Sequence, residues 1–491
     1  MGKAPEKKPK IERLKSVWPD LWELIRPRRG LLALGLALMA VNRVSGLVLP
    51  ASTKFLVDDV VLKHQTRLLV PILAAVFGAT LIQGATSFSL TQLLSKEAQR
   101  LIAELRERVQ AHVGRLPVAY YDSNKTGTLV ARIMTDVEGV RNLVGTGLVE
   151  FAGGLLTAAI AFVVLVRLSP TMTLFAFACL LFFSLGLKKA FVTIRPIFRD
   201  RGKINAEVTG RLTESLGGVR VVKGYHAEAR EEGVFRSGVQ RLLDNVLRTL
   251  TATSLMSLSS TMLMGIVGSV VMYLGARQIL AGTLTLGGFF TYTMFLGYLV
   301  APIFQIVNIG TQITEALAGL ERTREVLSER PEDRDPDRTE TLGEIRGSIR
   351  FEHVDFAYDT DKPVLKDVSF SAEPGTVTAL VGSSGSGKST IIGLIAAFYK
   401  PVAGRIFIDG IDLGRVRLDS YREALGVVLQ ESFLFDGTIR ENVAFSRPRS
   451  SEDEILRVCR IARVDEFAEK FETGYDTVVG ELVFKIYGGQ L

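Results

Sequence analysis

Two cysteines, Cys179 and Cys459, are all that this chain contains, one in an apolar run and the other in a charged, helix-like stretch. They lie far apart and offer neither a disulfide framework nor zinc-binding spacing, so both read as inert thiols. Also missing is a basic stripe interleaved with aromatics, which nucleic-acid binding would require. The formal charge of +7, from 59 basic against 52 acidic residues, is modest, and part of it sits at the start in MGKAPEKKPKIERLK and RPRRG. No small-residue cleavage site follows the first apolar run, which begins near Leu31, so that run is expected to be an uncleaved membrane segment.

What the chain does have is apolar sequence. Hydrophobic residues make up 47% and charged residues 23%, and the two populations are separated along the 491 residues. Segments long enough to cross a bilayer occur six times, at about 31–50, 68–94, 143–168, 171–192, 255–280 and 286–309. The third and fourth are joined only by the tight turn LSPT. Basic residues crowd the loops 95–142 and 188–248, whereas the opposite loops are short and carry few. Those basic loops, and with them both termini, are therefore expected on the cytoplasmic side.

Arg43 tests the first span. An arginine near a helix centre costs roughly 2.5–3.5 kcal/mol, and about eleven Leu, Val and Met residues around it return roughly 0.3–0.6 kcal/mol each. Insertion therefore stays favourable or near balance. Two readings of Arg43 remain open: it faces the bundle interior, where it could meet an anionic substrate group, or it snorkels or pairs with another helix.

The basic loops are themselves patterned. KEAQRLIAELRERVQAHVGRL carries Ala98, Leu101, Ile102, Leu105 and Val109 at helical spacing, which predicts a long extension of the second span. A turn cluster from Asp122 to Gly127 then reverses the chain into another helix, and Gly217-Gly218 breaks the second basic loop in the same way. The expected organisation is an N-terminal segment 1–27, a six-helix membrane domain 28–328 with two cytosolic hairpins, a Pro- and charge-rich linker 329–347, and a soluble α/β domain 348–491.

That last domain opens with alternating strands in SIRFEHVDFAY and VLKDVSFSAE. TVTALVGSSGSGKSTIIGLIAAFY then reads as strand, glycine loop and helix, and matches G-x-x-x-x-G-K-[ST]. Backbone N–H groups of Gly382, Ser383, Ser384, Gly385, Ser386 and Gly387 can converge on phosphate oxygens at a helix N-terminus, continued by Thr390. Lys388 can reach the β- and γ-phosphates, and the Ser389 hydroxyl can ligate Mg²⁺. ATP with Mg²⁺ is the expected ligand pair.

Around this loop the chain resembles an ATP-binding-cassette exporter half-transporter of the lipid or multidrug type, over about residues 22–490. The resemblance implies ATP-driven export of a lipid-like or amphipathic substrate by alternating access in a dimer with a second half-transporter. It also implies residence among the lipids of a bacterial cytoplasmic membrane. YYDSNKTGTLVARIMTDVEGV and RLTESLGGVRVVKGYHAE resemble the family's two coupling-helix regions. Tyr358, closing VDFAY, matches the aromatic that stacks on adenine. Gln430, closing LGVVLQ, matches the glutamine that reaches Mg²⁺ and the attacking water. Asp409, in RIFIDG, corresponds to a structural turn and is given no catalytic role. TVVGE, ending at Glu481, resembles the segment ahead of the signature.

At the signature itself the family has Leu-Ser-Gly-Gly-Gln, which contacts the ATP of the opposite subunit. Here Ile486 is followed by Tyr487, Gly488, Gly489 and Gln490, so a tyrosine ring replaces the serine hydroxyl and is expected to hinder closure. The sequence as written contains no Asp-Glu strand or histidine after Leu491. On that reading the cassette is incomplete at the signature, and the chain is expected to bind but not hydrolyse ATP alone. The alternatives are a non-hydrolysing subunit of a heterodimeric transporter and a non-functional copy.

Overall fold

The computed structural model describes residues 19, 22, 26–139, 141, 146–359, 362–429 and 433–480. From Arg29 to Ser328 these are helical almost throughout. Helix α1 (Arg29–Phe55) contains Pro50 and runs on into a wide π turn, Leu56–Val61. Helix α2 (Leu69–Leu90) continues through a second π turn, Thr91–Ser95, into α3 (Lys96–Val113). At 1.5 Å per residue that rod is about 65–70 Å long, well beyond a bilayer's apolar thickness. Helices α4 (Thr146–Leu168) and α5 (Pro170–Gly217) meet at Ser169. Its hydroxyl accepts from the Met172 N–H at 3.3 Å, and Pro170 stands at the first helical position, where no N–H is needed. Helices α6 (Glu228–Leu280) and α7 (Leu286–Ser328) complete the set.

Each expected apolar span falls on one of these rods. Among the described residues four segments are long and apolar enough to cross a membrane: Arg26–Val61, Thr66–Val113, Val149–Leu168 and Glu228–Leu280. Shorter apolar stretches lie in α5 (Pro170–Phe182) and α7 (Leu286–Val300). One core joins α1, α4, α5, α6 and α7 through Leu47, Leu165, Met172, Val271, Tyr292 and Phe295. In contrast, Leu73, Phe77, Leu81 and Phe88 form an exposed apolar stripe along α2, a surface that suits lipid and not water.

Helix α3 bears out its periodicity. Ala98, Leu101, Ile102, Leu105 and Val109 are all buried, and the last four pack with Val137, Leu320 and Val326 in a second core. The reversals come where turn chemistry put them. Short helices Val118–Ser123 and Thr126–Ala131 flank the first, and Val219–Gly224 follows Gly217-Gly218.

Apart from Pro117–Ala119, which group with the second, the chain divides into two compact units between Pro331 and Glu332. In the second, strands β1 (Ile349–Asp359), β2 (Lys362–Ala372), β3 (Ala403–Ile408) and β4 (Ile411–Asp412) form an antiparallel sheet in the order β2-β1-β3-β4. Phe351 faces Phe370 on one side and Ile406 on the other, with the two rings stacked at 4.5 Å. This sheet packs on helix α8 (Lys388–Ile395) through Phe356, Leu365, Leu394 and Ile408. A smaller sheet pairs β5 (Gly437–Thr438) with β6 (Val478–Val479), beside a helix that Thr438 and Glu441 close with a capping box.

One expected strand does not form. Residues 376–382, read from the sequence as a buried strand, have no ladder partner among the described residues, and Val377 and Val381 are 100% and 93% exposed. Apolar composition favours a strand only where neighbours supply hydrogen bonds and cover, and neither is at hand here. The run 425–429 behaves alike, with Val428 96% exposed.

Candidate functional site

The glycine loop leads directly into α8. Gly385 and Gly387 have φ of +81° and +90°, backbone that a side chain would strain. Gly387 is also crowded, because a Cβ there would lie 2.6 Å from Leu365 Cδ2, and one on Gly382 would lie 2.7 Å from Ser386 Oγ. The loop is thus drawn tight against β2 with its N-terminal helix turn uncovered. Lys388 folds back over it, donating from Nζ to the carbonyls of Gly382 at 3.0 Å and Ser383 at 2.7 Å, and to Ser386 Oγ at 3.2 Å. A cation held over the uncapped N–H groups of a helix start is the donor set that polyphosphate calls for.

Ser389 is exposed at this turn, while Thr390 is buried and shares a hydrogen bond of 3.0 Å with the Tyr358 hydroxyl. Tyr358 stands at the end of β1. Its ring meets Phe356 and Tyr399 edge-on at 4.9 and 5.2 Å and stays 55% exposed. The structure therefore brings together Tyr358 and residues 382–390 of the expected nucleotide set. Gln430, Glu481 and the signature-like Tyr487, Gly488, Gly489 and Gln490 lie outside the described residues. Asp409 is a turn residue at φ +48°. It accepts from the N–H groups of Arg346 at 2.7 Å, Gly347 at 3.1 Å and Ser348 at 2.8 Å. Burial pushes its carboxyl up, but these N–H groups outweigh that and hold it below the usual carboxylate range.

In the helical unit, Arg43 lies half-buried against Gly153 of α4. A Cβ on Gly153 would be 2.8 Å from Arg43 Nε and 3.0 Å from Met39 Sδ, so this glycine makes the room for the guanidinium. Nε is buried and has no hydrogen-bond partner among the described residues. One residue away, Asn42 is satisfied, donating to the Gln83 carbonyl at 2.9 Å and to Thr86 Oγ1 at 3.1 Å. Sequence reasoning missed Asp58, which is buried where α1's π turn meets the start of α7. It accepts from Thr285 Oγ1 at 2.5 Å and from the Gly287 N–H at 2.8 Å. Its only signal was an acidic residue at the end of an apolar span.

A helical unit with membrane-spanning segments, followed by a unit with a phosphate-binding loop, defines a membrane protein that handles nucleotide. The chain belongs to the ABC transporter family: the ABC transporter transmembrane region matches residues 32–303, and the ABC transporter model matches 365–490. It is 30% identical over 485 residues to the ATP-dependent lipid A-core flippase of Syntrophus aciditrophicus, covering 96% of this chain and 79% of that one. It is 31% identical over 398 residues to the fatty acid ABC transporter ATP-binding/permease protein of Mycobacterium bovis, covering 79% of this chain and 61% of that one. The solved structure of a bacterial Atm1-family ABC exporter with ATP bound shares the fold, with a TM-score of 0.77 at 24% identity over 94% of this chain and 82% of that one.

Proposed function

We propose that this chain is one half of an ATP-driven exporter of lipid-like or amphipathic molecules, working by alternating access as a dimer in a bacterial cytoplasmic membrane. Both termini are cytoplasmic. The observation that carries this reading is the Lys388 loop at the start of α8, in the same chain as the apolar helical bundle. The N–H groups of 383–387 and Lys388 hold the phosphates of ATP, and the Tyr358 ring takes the adenine. Ser389 and Gln430 hold Mg²⁺, which neutralises phosphate charge when bound. Residues 487–490 face the nucleotide of the second subunit. The short helices at 118–131 and 219–224 carry the motion to the bundle, where Arg43 meets an anionic part of the cargo. The named cargoes of the relatives, lipid A-core and fatty acid, are amphipathic and anionic, which agrees with an arginine in that position.

A second reading rests on Tyr487, which stands where the family has a phosphate-contacting serine. It makes this chain a nucleotide-binding subunit with little hydrolysis of its own, paired with a different half-transporter. One experiment separates the two. The purified full chain in lipid nanodiscs is assayed for binding of a fluorescent ATP analogue and for phosphate release. Binding with turnover supports the homodimeric exporter, and binding without turnover supports the second reading. Absence of binding would refute both.

A further inference from the structure

The segment that leaves α7 is fastened to the far end of the phosphate-binding helix. Glu332, at the start of the second unit, forms a two-pronged ion pair with Arg422, Nη1 to Oε1 at 2.5 Å and Nη2 to Oε2 at 3.1 Å. The same guanidinium donates from Nη2 to the Ala397 carbonyl at 3.1 Å, just past the end of α8, and lies 5.8 Å over the Phe398 ring. Its neighbour Tyr421, which is buried, donates its hydroxyl to the Ile395 carbonyl, the last of α8, at 2.8 Å. Three residues beyond Glu332, Asp335 pairs with Lys400, which closely follows the helix. One cation, Arg422, thus sits at the negative end of an eight-residue helix whose positive end carries Lys388, and a second, Lys400, follows five residues after the helix ends. Both are gripped by acids of the segment that continues from α7.

We propose that Arg422 is a positioning residue that links the nucleotide state of the loop to α7. Helix α8 is the rigid rod, the Arg422 guanidinium is the joint, and Glu332 is the handle on the chain running back to α7. This rests on the reading of 382–390 as a nucleotide site. A phosphate drawn onto the loop pulls α8 along its axis, and Arg422 passes that shift to Glu332 by a route separate from the short helices at 118–131 and 219–224. By linkage, a displacement of α7 alters nucleotide affinity by the same factor.

The test uses the full chain in nanodiscs, with a fluorescent ATP analogue for affinity and hydrogen exchange of residues 316–331 with and without ATP and Mg²⁺. Couplings of this kind amount to about 5–150-fold. E332Q is therefore expected to cut the ATP-dependent exchange difference at 316–331 by roughly fivefold or more, while the nucleotide still binds. E340Q removes an acid of the same segment that pairs with Arg415 at 4.0 Å and takes no part in the Glu332–Arg422 fork, and is expected to keep the difference. If E332Q fails to fold, R422K, which keeps the cation but gives up the fork, is expected to show the same loss. Retention of the difference in E332Q or R422K overturns the proposal, as does equal loss in E340Q. A wild-type chain that binds ATP with no change at 316–331 overturns it too. A wild-type chain that binds no ATP removes the nucleotide reading on which it stands.

Discussion

The carboxylate of Asp58 and the backbone N–H of Gly287, 229 residues apart in sequence, meet at 2.8 Å where α7 begins. The acid satisfies an orphan donor of the helix start and complements its dipole. Gly287 allows the approach, because a Cβ there would lie 2.6 Å from the Lys54 carbonyl oxygen and 2.7 Å from Asp58 Oδ1. Asp58→Ala leaves that N–H and the Thr285 hydroxyl without their acceptor, at a cost of about 1–3 kcal/mol. Gly287→Ala forces the helices apart at a similar cost, about 1–3 kcal/mol. Thermal unfolding of the detergent-solubilised chain should show both midpoints lowered, and an unchanged midpoint in either would contradict the packing described.

Lys388→Ala removes the ammonium that bridges Gly382, Ser383 and Ser386. A charge-assisted hydrogen bond contributes about 1.5–3 kcal/mol, so nucleotide affinity should fall roughly 10–100-fold. Stability should change little, because Lys388 is not buried and its acceptors are exposed. Titration with a fluorescent ATP analogue is the check, and a variant that binds as tightly as wild type would detach the loop from the proposed function.

Local pattern explains what could be read from the sequence. Helix α3 announced its buried face because five apolar residues recur at 3.6-residue spacing, and LSPT announced the turn between the third and fourth spans because Ser169 and Pro170 act on their own neighbours. The glycine loop was legible for the same reason, since its chemistry lies within nine consecutive residues. Residues 376–382 misled because their apolar run speaks to burial, while a strand also needs a ladder partner. The pairs Asp58–Thr285 and Glu332–Arg422 carry no local signal; only the fold brings residues 227 and 90 positions apart together. Arg43 was flagged by its cost, but the notch at Gly153 that receives it belongs to another helix.

His353 and Asp367 face each other across the β1–β2 pair, Nδ1 to Oδ1 at 2.6 Å, both at φ near +50°. The hydrogen bond to Asp367 raises the imidazole above its ordinary value, and nearby Glu352 adds to the effect. A raised folded value means that the pair's stabilisation is complete below about pH 6.5, the unfolded value, and is lost as pH rises through the folded one. His353→Gln should therefore lower the unfolding midpoint at about pH 6 and much less at about pH 9. An equal effect at both would mean that the contact is insensitive to charge.

Ala397 closes α8 in the left-handed region, at φ +54°. Its N–H bonds to the Leu394 carbonyl at 3.1 Å, and the Phe398 N–H bonds to the Gly393 carbonyl at 2.9 Å. That is the Schellman pattern, with alanine where glycine is usual. The β-carbon costs roughly 1–2 kcal/mol in this region, and it persists because Arg422 holds the Ala397 carbonyl. Ala397→Gly relieves the strain but loosens the unfolded chain, so a net gain of about 0.5–1 kcal/mol is expected. The midpoint of the nucleotide unit's transition should rise while ATP affinity stays the same, since the Ala397 carbonyl still receives Arg422. A fall in the midpoint would mean that the alanine methyl group packs in the core by more than its backbone strain costs.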